Sequence, residues 1–455
     1  METAETICAI STPPGEGGIG IIRMSGQLAH SILKKIFKTK KKKSTFISHK
    51  LYLGHIINPE SKKKIDEVFA VFMHAPHTYT REDIAEVHSH GGLATQKNIL
   101  SLMMQHGARL AEPGEFTKRA FLNGRIDLLQ AESVLDIIQS ETDEELKYAI
   151  DYLSGTLSQK IKGFKEQIKR IIVEIEALID FPEEDIEVNE EEHLLTLNRT
   201  KQKIEGLIDS YYEGRAIKQG LEALIIGRTN VGKSSLLNAL LLKEKAIVTP
   251  LPGTTRDMVE DTIHIKGVKL RIIDTAGLRK PKDIVEKEGI ERVHRKIPKV
   301  DLIVWVLDGS EKYTVEDEEI YRNIDDKNKV VVINKIDLPQ ILERKALQTR
   351  GLHWIEISAL KDIGLDKLKD TIYEQLMRKG IKNNKTVITN LRHRDALIKT
   401  KDALERAIIC KEKDEPLEFL AFELHEALFH LGEITGETCP DEILHDIFSR
   451  FCIGK

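Results

Sequence analysis

Cysteine is scarce in this chain: four of the 455 residues are cysteines, scattered at positions 8, 410, 439 and 452, and none forms a CxxC pair. That distribution argues against a disulfide framework or a zinc knuckle and suits a reducing compartment. Long apolar runs are also lacking, so no stretch approaches the length that spans a bilayer. The acidic start, METAETICAISTPPG, has no apolar segment of the kind a signal peptide needs. We therefore expect a soluble, cytoplasmic protein.

An excess of positive charge is lacking too, because 69 basic residues nearly cancel 73 acidic ones and leave a formal charge of -4. Any contact with nucleic acid must therefore come from a local patch. The basic run KTKKKK at Lys38–Lys43 is one candidate for nucleic-acid binding or nuclear import. It has no aromatic neighbours, however, and is more typical of a solvated loop.

The length allows roughly three domains of ordinary size. Residues 1–120 combine β-type runs, Ile19–Arg23 and Val68–Met73, with glycine-rich turns and a helical stretch at Leu93–Gln105. This mixture predicts a small N-terminal α/β domain.

Residues 121–215 have a helical pattern. Apolar residues recur at three- and four-residue spacing from Ile161 to Leu178, and this stripe stops at Pro182. The acidic run EEDIEVNEEE that follows is most simply a solvated connector.

The helical pattern returns in residues 379–455, where apolar side chains between Leu417 and Leu431 share one helical face. Two separated amphipathic segments must each bury a face, and the simplest solution is that they pack together. Residues 216–378, which alternate strands and helices, then form an α/β domain inserted into a helical domain. The predicted fold class is therefore α/β plus α, with the inserted domain built on a doubly wound sheet.

A phosphate-binding motif opens the inserted domain. A buried strand at Glu222–Ile226 is followed by GRTNVGKS at Gly227–Ser234 and by a helix, which is the strand–loop–helix context of GxxxxGK[ST]. Glycines let backbone N–H groups face the phosphates, Lys233 brings a cation to them, and the Ser234 hydroxyl can ligate magnesium. Taken alone, the motif leaves an ordinary glycine turn as the alternative.

Three further motifs follow in order. The strand ending at Asp274 leads into DTAG, where Asp274 can hold magnesium through water and the Gly277 N–H can meet the γ-phosphate. A second strand ends in NKID, where Asp337 can accept both N1–H and the exocyclic amine of guanine, an arrangement that rejects adenine. The segment Ser358–Leu360 is typical of the loop that covers the base. Four motifs in this order predict an enzyme that hydrolyses GTP.

The segment TPLPGTTRD between the first two motifs offers Thr255 as the switch threonine that completes the magnesium shell. Leu278 follows DTAG, where many GTPases carry a glutamine that orients water, so another group must do this. Asp283, Glu286 and Glu288 are candidates, and the residues alone do not choose among them. The predicted GTP site comprises Asn230, Val231, Gly232, Lys233, Ser234, Ser235, Thr249, Pro250, Leu251, Pro252, Gly253, Thr254, Thr255, Asp274, Thr275, Ala276, Gly277, Asn334, Lys335, Asp337, Ser358, Ala359 and Leu360.

Longer motifs run from one end of the chain to the other: TPPGEGGIGIIR near the start, HGG at His90–Gly92, PGEFTKRAFLNG at Pro113–Gly124, GRTNVGKSSLLN, PGTTRD, DTAGLR, and FCIGK at Phe451–Lys455. On these motifs, over essentially its whole length, the chain resembles the MnmE (TrmE) family of tRNA-modification GTPases.

The resemblance implies a biochemical setting. Members of the family add a carboxymethylaminomethyl group at carbon 5 of the wobble uridine of certain tRNAs, and they work with an FAD-containing partner of the MnmG (GidA) type. A one-carbon tetrahydrofolate is the carbon donor and binds the N-terminal domain, through which the protein forms a homodimer. GTP hydrolysis requires magnesium and is activated by potassium and by pairing of the G domains, without an arginine finger.

The resemblance also assigns residues. It places potassium on Asn230 and on backbone carbonyls of Thr249, Leu251 and Thr254, magnesium on Ser234 and Thr255, and the orientation of water on Glu286, which acts with Lys233. The folate residues match Arg23, Glu86, Arg125 and Lys455. Some members carry lysine at the position of Arg125, so the charge is kept there while its geometry changes.

Two features remain open between alternatives. Cys452 is either a reactive, catalytic thiol at the modification centre or a packed small residue, as free cysteines commonly are. His88 and His90 would share a face of a strand, as metal ligands sometimes do, but with no third ligand evident a polar pocket wall is favoured.

Two other functions fit parts of the pattern. A ribosome-associated switch GTPase shares the nucleotide motifs but would usually carry an RNA-binding module with a basic face. A folate-dependent one-carbon transferase with a regulatory GTPase is the second alternative, and it would transfer carbon without GTP.

Overall fold

The computed structural model describes residues 5–39, 46–184, 188–245, 261–266, 268–274, 297, 300–377 and 386–455. The chain divides into two compact units, and three separate segments form the first: Met1–Gln139, Ala149–Leu197 and Asp402–Lys455. The second unit consists of Ser140–Tyr148 and Asn198–Lys401. Segments of the first unit lie on both sides of Asn198–Lys401 in sequence. This part of the second unit is therefore inserted into the chain of the first.

The first unit begins with a seven-stranded sheet. Its strands are β1 (Ile7–Ile10), β2 (Ile19–Ser25), β3 (Phe37–Thr39), β4 (Lys50–Ile57), β5 (Lys64–Met73), β6 (Ile84–His90) and β7 (Arg109–Leu110). The strand order is β3-β4-β5-β6-β2-β1-β7, and only the short β1–β7 pair is parallel among these strands. Both predicted β-type runs lie inside strands, β2 and β5.

Two helices, α1 (Ala29–Ile36) and α2 (Leu93–Gln105), contribute buried side chains to the core beside this sheet. Ile32 and Leu33 come from α1, and Ile99 and Met103 come from α2. The bounds of α2 are those predicted from the sequence.

Helices follow the sheet. They are α3 (Glu115–Leu122), α4 (Leu128–Gln139), α5 (Asp143–Leu153), α6 (Thr156–Asp180), α7 (Glu190–Asp209), α8 (Tyr211–Gln219), α9 (Lys233–Lys245), α10 (Val315–Ile324), α11 (Lys345–Thr349), α12 (Leu365–Met377), α13 (Leu391–Glu412), α14 (Leu417–Thr435) and α15 (Asp441–Ser449). Among the described residues, no helix is both long and apolar enough to cross a membrane.

The predicted packing of the two amphipathic segments is confirmed. Helix α6 ends at Asp180, just before Pro182, and packs against α14. Lys165 forms an ion pair with Glu437, and Glu176 lies 2.9 Å from His425 Nε2, so the two helices run in opposite directions.

The prediction of a solvated connector was wrong at its C-terminal end. Glu190, Glu191 and Glu192 form the first turn of α7 instead of continuing a loop. Carboxylates at this position face the unpaired N–H groups and the positive end of the helix dipole, which favours helix initiation there.

The second unit is built on a six-stranded sheet. Its strands are β8 (Leu221–Ile226), β9 (Asp261–Ile265), β10 (Val268–Asp274), β11 (Leu302–Asp308), β12 (Lys329–Asn334) and β13 (Trp354–Glu356), in the order β13-β12-β11-β8-β10-β9. All neighbours pair in parallel except β9, which is antiparallel to β10.

This sheet has an apolar core on each face, as a doubly wound fold requires. Side chains alternate between the two cores along the central strand β11, where Val304 faces one core and Trp305 the other. Because β8, β10, β12 and β13 are parallel, the segments that follow them emerge at the same edge of the sheet. All four predicted nucleotide motifs follow these strands.

Candidate functional site

The loop after β8 turns tightly, and two glycines permit the turn. Gly227 has φ +151°, and a Cβ there would lie 2.3 Å from the carbonyl oxygen of Val306. Gly232 has φ +94°, and a Cβ there would lie 2.2 Å from Nδ2 of Asn334. Neither position has room for a side chain, so the loop requires glycine where it approaches Val306 and Asn334.

Lys233 begins α9 and folds its ammonium group back into this loop. Its Nζ donates to the carbonyl oxygens of Gly227, at 2.8 Å, and Arg228, at 2.5 Å. Ser234 and Ser235, in the first turn of the same helix, are exposed. A cation, a helix N-terminus and exposed hydroxyls lie together here, which is the chemistry that binds the phosphates of a nucleotide.

Asn230 lies at the tip of the loop and is exposed, with φ +63°. Asparagine tolerates this left-handed conformation better than most residues. The side chain of the next residue, Val231, is buried in one of the two apolar cores of this unit and so fixes the loop to it.

The buried side chain of Asn334, at the end of β12, joins two loops. Its Nδ2 donates to the carbonyl oxygen of Val231 at 2.9 Å, and its Oδ1 accepts from the N–H of Ala359 at 3.0 Å. One amide therefore holds the phosphate-binding loop and the loop after β13 together. Ser358 and Ala359 are buried, whereas Leu360 is exposed.

Two charged residues of NKID lie beside this amide. Lys335 has φ +67° and forms an ion pair with Asp308 at the end of β11. Burial alone would raise the pKa of Asp308, but hydrogen bonds from Lys335 and Ser310 lower it. A hydrogen bond from Ser358 lowers the pKa of Asp337, so this carboxylate is charged at neutral pH.

The rest of the predicted nucleotide site is described only in part. Strand β10 ends at Asp274, as predicted. The following site residues lie outside the described residues: Thr249, Pro250, Leu251, Pro252, Gly253, Thr254, Thr255, Thr275, Ala276, Gly277 and Glu286. Their assignments stay predictions.

A second cluster lies on the sheet of the first unit. Arg23 on β2 and Glu86 on β6 are cross-strand neighbours, and Arg23 Nε donates to Glu86 Oε1 at 2.7 Å. His88 Nε2 lies 3.2 Å from the other carboxylate oxygen. Burial raises the pKa of Glu86, but the hydrogen bonds from His88 and Arg23 outweigh burial and lower it. The result is a polar wall that contains a fixed carboxylate.

Tyr79 connects this pair to Arg125. The guanidinium carbons of Arg125 and Arg23 lie 4.7 Å and 5.8 Å from the Tyr79 ring centroid. Arg125 also donates to the Tyr79 carbonyl at 3.3 Å. The ring of Phe116 lies 5.8 Å from Arg23. Sequence reasoning missed both aromatic residues: Phe116 lies inside PGEFTKRAFLNG, whereas Tyr79 has no spacing that singles it out.

The C-terminal segment reaches the same cluster. The N–H of Phe116 donates to the backbone oxygen of Lys455 at 3.2 Å, and Ile453 forms an antiparallel bridge with Pro113. Gly454 has φ +97° and lies so close to the Ile10 carbonyl that a Cβ would come within 2.5 Å of it. The structure therefore brings Arg23, Glu86, Arg125 and the Lys455 backbone, all proposed folate residues, into one region.

Cys452 is exposed, so its interpretation as a packed small residue was wrong. The Cys452 carbonyl accepts from the N–H of Gly114 at 3.5 Å, while its side chain stays at the surface.

The histidines of β6 have separate carboxylate partners. His90 Nδ1 lies 2.7 Å from Asp66, while His88 faces Glu86. Among the described residues, no group of three His, Cys, Asp or Glu side chains could hold a metal ion. This geometry agrees with a polar wall.

Comparison with known proteins gives matches along the whole chain. The profile described as "MnmE helical domain" matches residues 128–452, and that described as "GTP-binding protein TrmE N-terminus" matches residues 6–125. Among solved structures, Aquifex aeolicus Era bound to GDP.AlF4- is 32% identical and covers 40% of this chain and 66% of that chain, at a TM-score of 0.29.

Curated relatives named "tRNA modification GTPase MnmE" match essentially the full length of the chain. That of Thermoanaerobacter sp. is 47% identical over 99% of both chains. That of Acetivibrio thermocellus is 44% identical and that of Geobacter metallireducens 43%, each over 100% of both chains. With matches of this extent and identity, the chain belongs to the MnmE family of tRNA modification GTPases.

Proposed function

We propose that this chain hydrolyses GTP to GDP and phosphate and, with an FAD-containing MnmG-type partner, adds a carboxymethylaminomethyl group at carbon 5 of the wobble uridine of certain tRNAs. The observation that carries the GTP assignment is the buried amide of Asn334, which joins the phosphate-binding loop to the base-covering loop. The names of the full-length relatives support tRNA as the substrate. A tRNA substrate favours a cytoplasmic location.

Guanine selection falls to Asp337. Its charged carboxylate, positioned by Ser358, has two acceptor oxygens for the N1–H and exocyclic amine of guanine. Adenine offers no such pair of donors and would leave these two acceptor positions unpaired on binding, which costs affinity.

The phosphates fit the loop around Lys233. Backbone N–H groups at the start of α9, the Lys233 ammonium and the exposed Ser234 hydroxyl all belong to this loop and the first helical turn, which supplies the groups that phosphate contacts require. A magnesium ion held by Ser234 and Thr255 would neutralise negative charge on the β- and γ-phosphate oxygens. We assign the orientation of the attacking water to Glu286.

The cluster around Tyr79 fits a folate. Arg23, Arg125 and the Lys455 side chain would hold an anionic ligand, and Glu86 would accept hydrogen bonds from a pterin ring. The Tyr79 ring, which both guanidinium groups contact, adds an aromatic side chain to this charged cluster. A one-carbon tetrahydrofolate would supply the carbon that is transferred. The exposed thiol of Cys452 lies on the segment that reaches this cluster, and we propose that it acts in the transfer.

The face of the sheet that carries Arg23 and Glu86 supports a homodimer. In the register of β4, β5, β6 and β2, Leu51 and Val71 align with Glu86 and Arg23, while Leu53 and Phe69 align with His88. Leu51, Leu53 and Phe69 are exposed apolar side chains. An apolar sheet face beside a ligand cluster is what a second copy would cover.

The decisive experiment is nucleoside analysis of bulk tRNA from cells that lack this protein. We expect loss of carboxymethylaminomethyl uridine derivatives and their restoration by the wild-type chain. Complementation with Lys233→Ala separates nucleotide-dependent modification from a folate transferase that works without GTP. Unchanged nucleosides in the deletion strain would refute the proposed function.

A further inference from the structure

Three phenylalanine rings lie on the outer side of α14. Phe419, Phe422 and Phe429 are 58%, 60% and 45% exposed, whereas Leu424 and Leu431 are fully buried on the opposite side of the helix. Phe422 and Phe429 are two helical turns apart, and Phe419 lies one turn before Phe422. The rings therefore follow one outward ridge of the helix.

Helix α6 extends this ridge sideways. His425 Nε2 lies 2.9 Å from Glu176, which joins the exposed sides of α14 and α6. Phe422 and Phe429 lie one turn before and after His425, while Val173, 64% exposed, lies one turn before Glu176. Phe181, just after the end of α6, is also exposed. We call Val173, Phe181, Phe419, Phe422 and Phe429 the phenylalanine face.

This face differs from ordinary surface exposure. Single apolar side chains on a surface need no explanation, but adjacent ones mark interaction sites. Aromatic residues are also enriched at the centres of protein–protein interfaces. Leu424 and Leu431 already pack α14 against the core of the first unit. The exposed phenylalanine rings are therefore not explained by packing within that unit.

The charge around the face restricts what can bind there. Residues 169–184 contain five acidic residues against two basic ones, Lys169 and Arg170, and residues 417–429 contain three acidic residues and no lysine or arginine, so the surroundings carry a net negative charge. Arg406 pairs with one of these, Glu423, at 2.8 Å. Such a surface repels the phosphates of RNA, and it also repels a second copy of itself. It is complementary to a protein surface whose apolar side chains lie among lysines and arginines.

We propose that the phenylalanine face is the docking surface for the FAD-containing protein partner, which binds it through an apolar patch flanked by basic side chains. This inference rests on the proposed function, which supplies that partner. Aromatic side chains would provide most of the binding energy, and the acidic surroundings would speed association.

Binding is measured by calorimetry between the full-length chain and the purified FAD-containing protein of the same organism. Replacing Phe422 with Glu, alone and together with Phe429→Glu, should weaken binding by about tenfold or more. The matched control is Leu195→Glu, which changes an exposed apolar residue on α7 in the same unit and should leave the affinity unchanged. Intrinsic GTP hydrolysis by each variant should equal that of the wild type, and an unchanged circular dichroism spectrum shows that the helical unit that carries α14 is folded.

A variant with reversed charges tests whether the acidic residues around the phenylalanine face contribute to binding. Replacing Asp180 and Glu418 with lysine should slow association with the partner at low salt, with a smaller effect at high salt. Wild-type affinity in both phenylalanine variants would overturn the docking surface while leaving the partnership intact. No binding by the wild-type chain would overturn the partnership itself. Loss of tRNA binding with unchanged partner binding would make the face an RNA surface and overturn the inference.

Discussion

Asn334 shows how one side chain can organise a site. Its amide donor and amide acceptor are both used, on Val231 and on Ala359, so neither loop can move without losing a buried hydrogen bond. Leaving a buried polar group unpaired costs about 1–3 kcal/mol. In NKID, Asn334 therefore holds the two loops together, whereas Asp337 is the residue assigned to selection of the base.

The first prediction concerns that base selection. Asp337→Asn replaces an acceptor with a donor opposite the N1–H of guanine, so GTP should bind more weakly by roughly ten- to a hundredfold. Xanthosine triphosphate, which presents an acceptor at the neighbouring position, should gain affinity. Direct titration with both nucleotides measures the exchange.

The control for this experiment is Asp326→Asn, which removes an exposed carboxylate in the same unit without altering the site. It should bind GTP as the wild type does. Unchanged GTP affinity in Asp337→Asn would rule out the assignment of Asp337 to the guanine edge.

Helix α8 shows a tight contact between elements. Gly214 lies so close to the Ile388 carbonyl that a Cβ would come within 2.1 Å of the oxygen, and Ser210 Oγ accepts from the Ile388 N–H at 3.0 Å. Between them Glu213 is buried, and among the described residues its Oε2 has no hydrogen-bond partner. Burial raises the pKa of Glu213 from 4.5 to about 7.

That carboxyl predicts a pH dependence of stability. Its pKa is higher in the folded than in the unfolded chain, so folding binds a proton and stability falls as pH rises from about 4.5 to about 7. Glu213→Gln mimics the neutral form. It should therefore raise the free energy of unfolding at pH 8, by on the order of 3 kcal/mol, and change it much less at pH 5.

Urea unfolding at the two pH values measures this difference, with the exposed Glu319→Gln in the same unit as control. The control should show the same stability as the wild type at both values. A Glu213→Gln variant that is less stable at pH 8 would contradict the prediction, since it would mean that the charged form is favoured.

The elements differ in how far the sequence alone predicts them. The bounds of α2 were predicted, and so was an end of α6 close to Pro182, because apolar periodicity and a proline are local signals. The start of α7 was missed because acidic residues read equally well as a loop and as a first helical turn. Strand order in the first sheet was not predicted, since no local pattern states which strands pair.

The candidate sites show the same division. GxxxxGK[ST] and NKID could be identified from sequence because each is a contiguous motif beside a strand. The contacts of Tyr79 with Arg23 and Arg125, and of Phe116 with Lys455, join distant parts of the chain. Such contacts follow from packing, which no spacing in a single sequence reveals.

At the scale of the whole molecule, the two candidate sites belong to different units. The nucleotide residues lie in Asn198–Lys401, whereas Arg23, Glu86, Arg125 and the C-terminal segment belong to the other unit. A change confined to one unit should therefore affect one activity before the other.

Removal of Ile453–Lys455 tests this separation. The segment pairs with Pro113 and accepts from Phe116, both in the first unit, so its loss should abolish tRNA modification in cells and leave GTP hydrolysis largely intact. Ile453→Ala keeps the backbone contacts and serves as the control, which should retain both activities. Equal loss of both activities in the truncated chain would show that the tail is simply structural.

Potassium dependence also belongs to this scale, because the resemblance to the family links it to pairing of G domains. Leu278 occupies the position of the usual glutamine, and an arginine finger elsewhere contributes roughly 10³–10⁵ in rate, so another charge must act between the phosphates. Asn230, exposed at the tip of the phosphate-binding loop, offers a neutral carbonyl oxygen. With carbonyls of Thr249, Leu251 and Thr254 it would form a cage of the kind that accepts a large monovalent cation.

We therefore expect GTP hydrolysis to be stimulated by potassium and much less by sodium, whose smaller radius fits such a cage poorly. Asn230→Ala should lose the stimulation, whereas Glu286→Ala should bind nucleotide and fail to turn over in potassium. Phosphate release is measured in matched potassium and sodium buffers, at protein concentrations high enough for G domains to pair. Equal rates in the two buffers would refute the potassium site, and a loss of nucleotide binding in Asn230→Ala would show instead that this residue maintains the shape of the loop.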